Sequence, residues 1–120
     1  MHIVVATTRA SELENFLAPL KELPEAELLL VENGADTLAK VKDLAPKFVI
    51  VDENLSDFEP LPLVTEIMKI NAMVNTAVFS SMSDKDFHDY SEGLGVLAPI
   101  VPAAGKEDGI KLKELFARFM

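Results

Sequence analysis

A single aspartate, Asp52, is the residue in this sequence that is best placed to do chemistry. It directly follows the apolar run of residues 48–51 and opens the polar loop of residues 53–57. Four consecutive apolar residues predict a strand that is covered on both faces, as in the middle of a parallel sheet. Open α/β sheets place their ligand and reaction sites at the carboxyl ends of the strands, so we expect Asp52 to lie in such a site.

Hydroxyl groups also follow two other apolar runs. Thr7 and Thr8 come after the first run of the chain, and Ser80 comes after a later one. A turn of Thr7, Thr8 and Arg9 before a helix could hold a phosphate, but it has no glycine for close backbone approach, which favours a plain loop. Hydroxyl groups at strand ends often do no more than satisfy loose backbone groups, so Ser80 taken alone predicts little.

The composition excludes several kinds of site. The chain has 120 residues, no cysteine and only two histidines, which excludes disulfides, thiolate chemistry and a histidine-rich metal centre. Its 20 acidic and 11 basic side chains give a net charge of -9, so we expect nucleic acid and anionic membranes to be repelled. The sequence has no basic leader and no apolar stretch of membrane-spanning length, so we expect one cytoplasmic domain over residues 1–120.

The remaining pattern predicts five strand and helix pairs. Short apolar runs between turn residues predict the strands, and apolar residues at spacings of three and four predict the helices. The predicted strands cover residues 2–7, 27–31, 48–51, 76–79 and 96–101, and the predicted helices begin near residues 11, 34, 60, 83 and 106. Such an alternation is typical of an α/β fold with a parallel sheet and helices on both faces.

Local signals mark some boundaries of these elements. Ser11 and Ser83 each have an acidic residue three positions later, which is the spacing of a capping box, and Thr8 is the alternative cap of the first helix. The dipeptide of residues 33–34, Asn-Gly, predicts the start of the second helix. Pro99 lies inside the fifth strand and lacks the backbone donor that a central strand needs, so we expect this strand at an edge of the sheet.

The pattern resembles the receiver domain of two-component response regulators over almost the whole chain. The best segment is residues 46–63, where the family's third strand, acceptor aspartate, loop and following helix align with Asp52 and its neighbours without a gap. The resemblance implies a flavodoxin-like (βα)5 three-layer sandwich with a parallel sheet of order 2-1-3-4-5. That order makes the fifth strand an edge, in agreement with Pro99.

In receiver domains, the acceptor aspartate takes a phosphoryl group from a kinase phosphohistidine, with help from Mg²⁺ and a lysine. The resemblance places Asp52 at the acceptor position. The family's metal is held by two acids after the first strand, by the acceptor and by a backbone carbonyl two residues beyond it. Here Thr7 and Thr8 stand at the acidic positions and are weak ligands for a hard dication, while Asn54 stands at the carbonyl position. We therefore expect no resident metal, with a weak Mg²⁺ site at Asp52 and Asn54 as the alternative.

This chain has only some of the other residues that form the pocket in receiver domains. Ser80 stands at the position of the hydroxyl residue that contacts the phosphoryl group in receivers. The family's Lys-Pro pair after the fifth strand aligns with Val101 and Pro102 or, with a slip of one residue, with Ile100 and Val101. Neither alignment offers a lysine, and the fifth strand also lacks the family's aromatic switch residue. Arg9 and Lys106 are the two cations that could substitute, although the alignment supports neither.

These departures predict a pseudo-receiver, a signalling module that binds proteins and is not an enzyme. Its expected partner is a histidine kinase or an output domain, with no contact to nucleic acid or membrane by this domain alone. We also keep open a homodimer through the fourth helix, the fifth strand and the fifth helix. Two other functions stay open: a working phosphoreceiver that accepts a phosphoryl group on Asp52, and an FMN-binding flavodoxin-like protein that uses Thr7, Thr8 and Ser11. Few glycines and no tryptophan argue against the FMN binder.

Overall fold

The computed structural model describes all 120 residues, and it contains the five-stranded parallel sheet that the sequence predicts. The strands are β1 (His2–Ala6), β2 (Glu27–Val31), β3 (Phe48–Val51), β4 (Asn75–Phe79) and β5 (Val96–Ile100). Every neighbouring pair of strands is parallel, and the order is β2-β1-β3-β4-β5. The predicted flavodoxin-like α/β class and the predicted strand order are therefore confirmed.

Helices cover both faces of this sheet. They are α1 (Glu14–Leu17), α2 (Gly34–Leu44), α3 (Pro60–Ile70), α4 (Asp84–Ser91) and α5 (Lys106–Ala117), and a 3₁₀ segment (Ala18–Glu22) continues α1. Because successive side chains of a strand point to opposite faces, alternate residues of β1 and β3 supply two separate cores. Ile3 and Ile50 pack in the core under α1 and α5, whereas Val4 and Val49 pack in the core under α2 and α3. Coverage on both faces explains why β3 is apolar throughout.

Three helix starts follow their local sequence signals. Asn33 caps α2, because its side-chain oxygen accepts a hydrogen bond from the backbone N–H of Asp36 at 2.7 Å. Ser83 caps α4 in the same way through the backbone N–H of Asp86 at 3.2 Å. Pro60 is the first residue of α3, where its missing N–H has no intrahelical partner to lose. These starts agree with the predicted ones.

The first helix is much shorter than the sequence predicts. The predicted cap, Ser11, lies in a turn, α1 begins at Glu14 without a side-chain cap, and the alternative cap Thr8 makes no side-chain hydrogen bond. Pro19 ends α1 early, because it cannot donate the backbone hydrogen bond that would continue an α-helix, and the chain tightens into the 3₁₀ segment. The apolar stripe that suggested a longer helix is nevertheless buried, as Phe16 and Leu20 are fully enclosed.

The two edges of the sheet differ. Pro99 lies on the exposed edge strand β5, as predicted, and that strand ends at Ile100. The opposite edge is β2, where the Leu30 side chain is 54% exposed. All peptide bonds are trans, including the bond before Pro102. None of the helices combines the length and the apolar character that crossing a bilayer requires.

Candidate functional site

The Asp52 side chain lies where the sequence places it, at the carboxyl end of β3. Its backbone N–H donates to the carbonyl of Ala6 at 2.9 Å, which extends the pairing of β3 with β1 by one residue. The side chain is only 2% exposed. An ionised carboxylate at this depth needs hydrogen bonds or an opposite charge to offset its lost hydration.

Arg9 supplies that charge. Its Nε donates to Asp52 Oδ2 at 2.8 Å, and its Nη2 donates to Asp52 Oδ1 at 3.0 Å. This is the two-pronged geometry in which a planar guanidinium matches a carboxylate best. The hydrogen bond to Asp52 is the main reason why the pKa of Arg9 is raised above its usual range. The two side chains form a salt bridge, in which the guanidinium offsets the charge of the carboxylate.

Two further donors complete the shell of Asp52. The Thr7 hydroxyl donates to Oδ2 at 2.7 Å, and the backbone N–H of Glu53 donates to Oδ1 at 2.8 Å. A carboxylate has about four acceptor positions. All four hydrogen bonds to Asp52 thus come from this chain, and any other ligand of this carboxylate must displace one of them.

Arg9 also ties three strand ends together. It follows β1, pairs with Asp52 after β3, and places its guanidinium carbon 5.1 Å from the ring centre of Phe79, the last residue of β4. A guanidinium over an aromatic face gains a modest attraction from the electron-rich ring. The backbone N–H of Arg9 donates to the Thr7 hydroxyl at 3.1 Å, which fixes the turn that carries it.

A second polar link joins the loops after β3 and β4. Glu53 Oε2 accepts hydrogen bonds from the backbone N–H and from the hydroxyl of Ser81, both at 3.0 Å. Because the backbone of Glu53 also donates to Asp52, this link is continuous with the network around Asp52.

None of the other predicted pocket residues makes a hydrogen bond to Asp52. The Thr8 side chain is exposed, and the Ser80 hydroxyl accepts a hydrogen bond from the backbone N–H of Met82 at 3.1 Å. Asn54 is exposed and adopts a left-handed backbone conformation, with φ of 64°. Val101 is 55% exposed, and Pro102 is half-buried.

Of the two candidate cations, only Arg9 reaches the site. Lys106 forms no ion pair and lies near Glu22, whose pKa is lowered mainly by its hydrogen bond to Lys113 and more weakly by Lys106. Sequence reasoning left the choice between the two cations open. The order of the strands favours Arg9, because the residues after β1 are neighbours of the residues after β3 in a sheet of order 2-1-3.

A second carboxylate of the same loop serves the fold. Asp57 Oδ1 accepts a hydrogen bond from the backbone N–H of Gly34 at 2.7 Å, and its Oδ2 accepts one from Ala35 at 3.0 Å. These are the first residues of α2, where unpaired N–H groups and the helix dipole favour a negative charge. The hydrogen bond from Gly34 is the largest cause of a lowered pKa for Asp57.

The donor set does not fit the Mg²⁺ that the receiver resemblance implies. Thr7 offers a neutral hydroxyl that already donates to Asp52, and the guanidinium of Arg9 stands against the carboxylate that would bind the metal. A dication placed there would face the positive charge of Arg9 at close range. Asp57 is committed to α2, and nowhere do three or more His, Cys, Asp or Glu side chains gather in a way that could hold a metal ion.

Comparison with known proteins finds similarity in structure only. No protein-family model and no curated protein sequence matches this chain. Among solved structures, a CheY-like response regulator receiver domain protein from Methanospirillum hungatei JF-1 matches with a TM-score of 0.79 and 18% identity, covering 98% of this chain and 94% of that chain.

Two further structures agree. The response regulator domain of CheB from Thermotoga maritima has a TM-score of 0.80 and 15% identity, with 98% of this chain and 94% of that chain covered. The chemotaxis response regulator CheY4 of Vibrio cholerae has a TM-score of 0.76 and 14% identity, with 95% of this chain and 96% of that chain covered. Identities at this level establish the fold alone. This chain therefore has the fold of the receiver domains of response regulators.

Proposed function

We propose that this chain is a receiver-like signalling domain that acts by binding a protein partner and not by accepting a phosphoryl group. The observation that carries the proposal is the closed shell of Asp52. All four of its acceptor positions are filled by Arg9, Thr7 and the backbone of Glu53. Attack on phosphorus needs a free lone pair, so at least one of these bonds must break first.

The charges around the site support the same proposal. Transfer to a carboxylate brings two anionic groups together, and receivers overcome their repulsion with a metal ion and a lysine. Here Thr7 and Thr8 stand at the acidic positions, and Val101 stands at the position of the lysine. The one cation at the site, Arg9, is used by Asp52 itself. The positive charge of Arg9, which would attract a phosphoryl group, is already neutralised by Asp52.

A working phosphoreceiver is the second candidate, and Arg9 is the observation that favours it. A guanidinium binds phosphoryl oxygens as well as carboxylates. If Arg9 moved from Asp52 to an incoming phosphoryl group, it could supply the positive charge that the missing lysine supplies in receivers. The exposed hydroxyl of Ser81 and the half-buried Ser80 stand at the carboxyl end of the neighbouring strand β4.

The FMN binder has less support. Of its three proposed phosphate ligands, Thr7 points its hydroxyl at Asp52 and is 2% exposed, so a phosphate there would meet a carboxylate. Ser11 and Thr8 are exposed and make no side-chain hydrogen bonds that would orient them.

Intact-mass measurement after incubation with acetyl phosphate and Mg²⁺ separates the first two candidates. We expect no added phosphoryl mass on the wild-type protein. An added mass that Asp52→Asn abolishes would overturn the proposal and establish the phosphoreceiver. The variant Arg9→Ala tests the role of the cation. If phosphorylation occurs and depends on Arg9, this variant gains no phosphoryl mass, like the variant Asp52→Asn.

A further inference from the structure

An apolar groove lies between α3 and α4, next to the carboxyl end of β4. Its volume is about 250 Å³. Val78 lines it from β4, the buried ring of Phe87 lines it from α4, and Tyr90, 68% exposed, forms an outer wall. Leu61 and Pro60 line it from the start of α3. Aromatic and aliphatic walls of this kind suit a bulky apolar side chain.

The rim of this groove carries negative charge only. Glu53 and Glu59 line it, and no lysine, arginine or histidine does. The side chain of Glu59 makes no hydrogen bond or ion pair, and the side chain of Glu53 uses only Oε2, in its bonds to Ser81. Both carboxylates therefore have free acceptor positions beside an apolar surface, which is the arrangement that attracts an apolar group flanked by cations.

The groove is also connected to the site described above. Glu53 contributes its side chain to the rim of the groove, and its backbone N–H donates to Asp52. A cation that pairs with Glu53 would thus contact the same loop that closes the shell of Asp52.

We propose that this groove binds a segment of a protein partner that carries an aromatic or large aliphatic side chain flanked by lysine or arginine. The inference rests on the proposed function as a binding module and names the chemistry of its partner. Aromatic residues and arginine are the residues that most often dominate protein interfaces. A second copy of this chain fits less well, because each copy has a net charge of -9 and would bring further negative charge to an acidic rim.

Two short peptides with blocked ends test the groove directly. One has the sequence Gly-Arg-Trp-Leu-Arg-Gly, and the other has glutamate in place of both arginines. Each is titrated into ¹⁵N-labelled protein while the backbone amide signals are followed by NMR. We expect the basic peptide to shift the signals of Glu59, Leu61 and residues 79–82 and 87–90. We expect the acidic peptide to bind at least about tenfold more weakly, because its charges meet Glu53 and Glu59.

Matched variants show whether the groove itself is responsible. Tyr90→Ala removes the exposed aromatic wall and is expected to weaken binding of the basic peptide about tenfold. Phe119→Ala removes an exposed aromatic ring just beyond the end of α5 and is expected to have no effect on binding. Glu59→Gln is expected to weaken binding about threefold, whereas Glu114→Gln makes the same change of charge on α5 and is expected to change nothing.

Several results would overturn the inference. These are the absence of groove shifts at millimolar peptide, equal binding of both peptides, and equal effects of the groove variants and their controls. Broadening of the groove signals as the concentration of the protein alone rises would assign the groove to a second copy and would also overturn it. No phosphodonor is present, so the titration and the intact-mass measurement succeed or fail independently.

Discussion

Asp52 and Asp57 stand at the two ends of one loop and are held in different ways. Asp52 is 2% exposed and is neutralised by a side chain, Arg9, that lies 43 residues earlier in the chain. Asp57 is exposed and is held by the backbone N–H groups that begin α2. The first arrangement uses a full opposite charge, and the second uses the partial charge of a helix end.

The difference teaches which carboxylate defines the site. The partners of Asp57 are backbone N–H groups that α2 holds in place, so this carboxylate serves the fold. The partner of Asp52 is a flexible side chain that is partly open to solvent, with 28% of the Arg9 side chain exposed. Such a side chain can leave Asp52 and let another group bind there, and chemistry at the site depends on this exchange.

The largest effect on this comparison is expected from Arg9→Ala. The variant leaves the charge of Asp52 buried without a counterion, and we expect the free energy of unfolding to fall by about 2–3 kcal/mol, since solvent reaches part of the pair. Urea unfolding followed by circular dichroism measures it. Arg118→Ala removes an exposed arginine without an ion pair and is the control.

The same substitution in an Asp52→Asn background isolates the pair. We expect Arg9→Ala to cost much less there, because the buried charge is already gone. An equal cost in both backgrounds would show that Arg9 stabilises the fold through its packing on Phe79 and not through Asp52.

A smaller loss is expected from Thr7→Val. This change keeps the shape of the side chain but removes the hydroxyl that donates to Asp52 and accepts from the N–H of Arg9, and we expect a loss of about 1–2 kcal/mol. Thr76→Val is the matched control, because the buried hydroxyl of Thr76 has no hydrogen-bond partner. We expect the control to be neutral or stabilising in the same urea experiment. Equal losses at both positions would contradict the role given to Thr7.

The pH dependence of stability separates the two carboxylates. Because the folded-state pKa of Asp57 is lowered from its ordinary value of 3.8, its ionised form stabilises the folded state above that pH. We expect Asp57→Asn to be less stable than wild type at neutral pH, and the difference to shrink as the pH falls below 3.8 through the lowered value.

Asp43→Asn serves as the control for that experiment. It removes a carboxylate near the carboxyl end of the same helix, where a negative charge is unfavourable, so it is expected to cause no loss at neutral pH. Thermal unfolding midpoints across the acidic range measure both variants. A loss for Asp57→Asn that does not change with pH would assign the effect to packing and not to charge.

The smallest effect is expected at the third carboxylate of the loop, Glu53. Ser81→Ala removes one of its two hydrogen bonds at an exposed site, so we expect a loss of about 0.5 kcal/mol or less. Ser56→Ala, an exposed serine without a hydrogen bond, is the control. A loss as large as that of Thr7→Val would mean that the link between the loops contributes more than its exposure suggests.

Much of the fold could be predicted because its signals are local. The unbroken apolar run before Asp52 predicts a central strand, Pro99 predicts an edge, and Asn33 and Ser83 predict helix starts. Each of these features depends on the backbone within a few residues. The structure agrees at all four positions.

The site could be predicted only in outline, because its contacts join distant parts of the chain. Nothing within a few residues of Arg9 shows that its long side chain turns back to Asp52 rather than to solvent. The sequence predicts too long a first helix for a related reason: the buried stripe that includes Phe16 and Leu20 satisfies helical spacing, although Pro19 prevents a continuous α-helix. The apolar spacing favours a long α-helix, but Pro19 lacks the N–H that such a helix requires as a hydrogen-bond donor.

The unequal edges of the sheet have a consequence for aggregation. On β5, Pro99 removes a backbone donor, which hinders another strand from docking there. On β2, the leucines of residues 28–30 form an apolar strand with no proline or lysine inside it. Proteins usually protect such a strand, and here only the acidic residues Glu27 and Glu32 flank it. If this protein forms fibrils, we expect their ordered core to begin at β2.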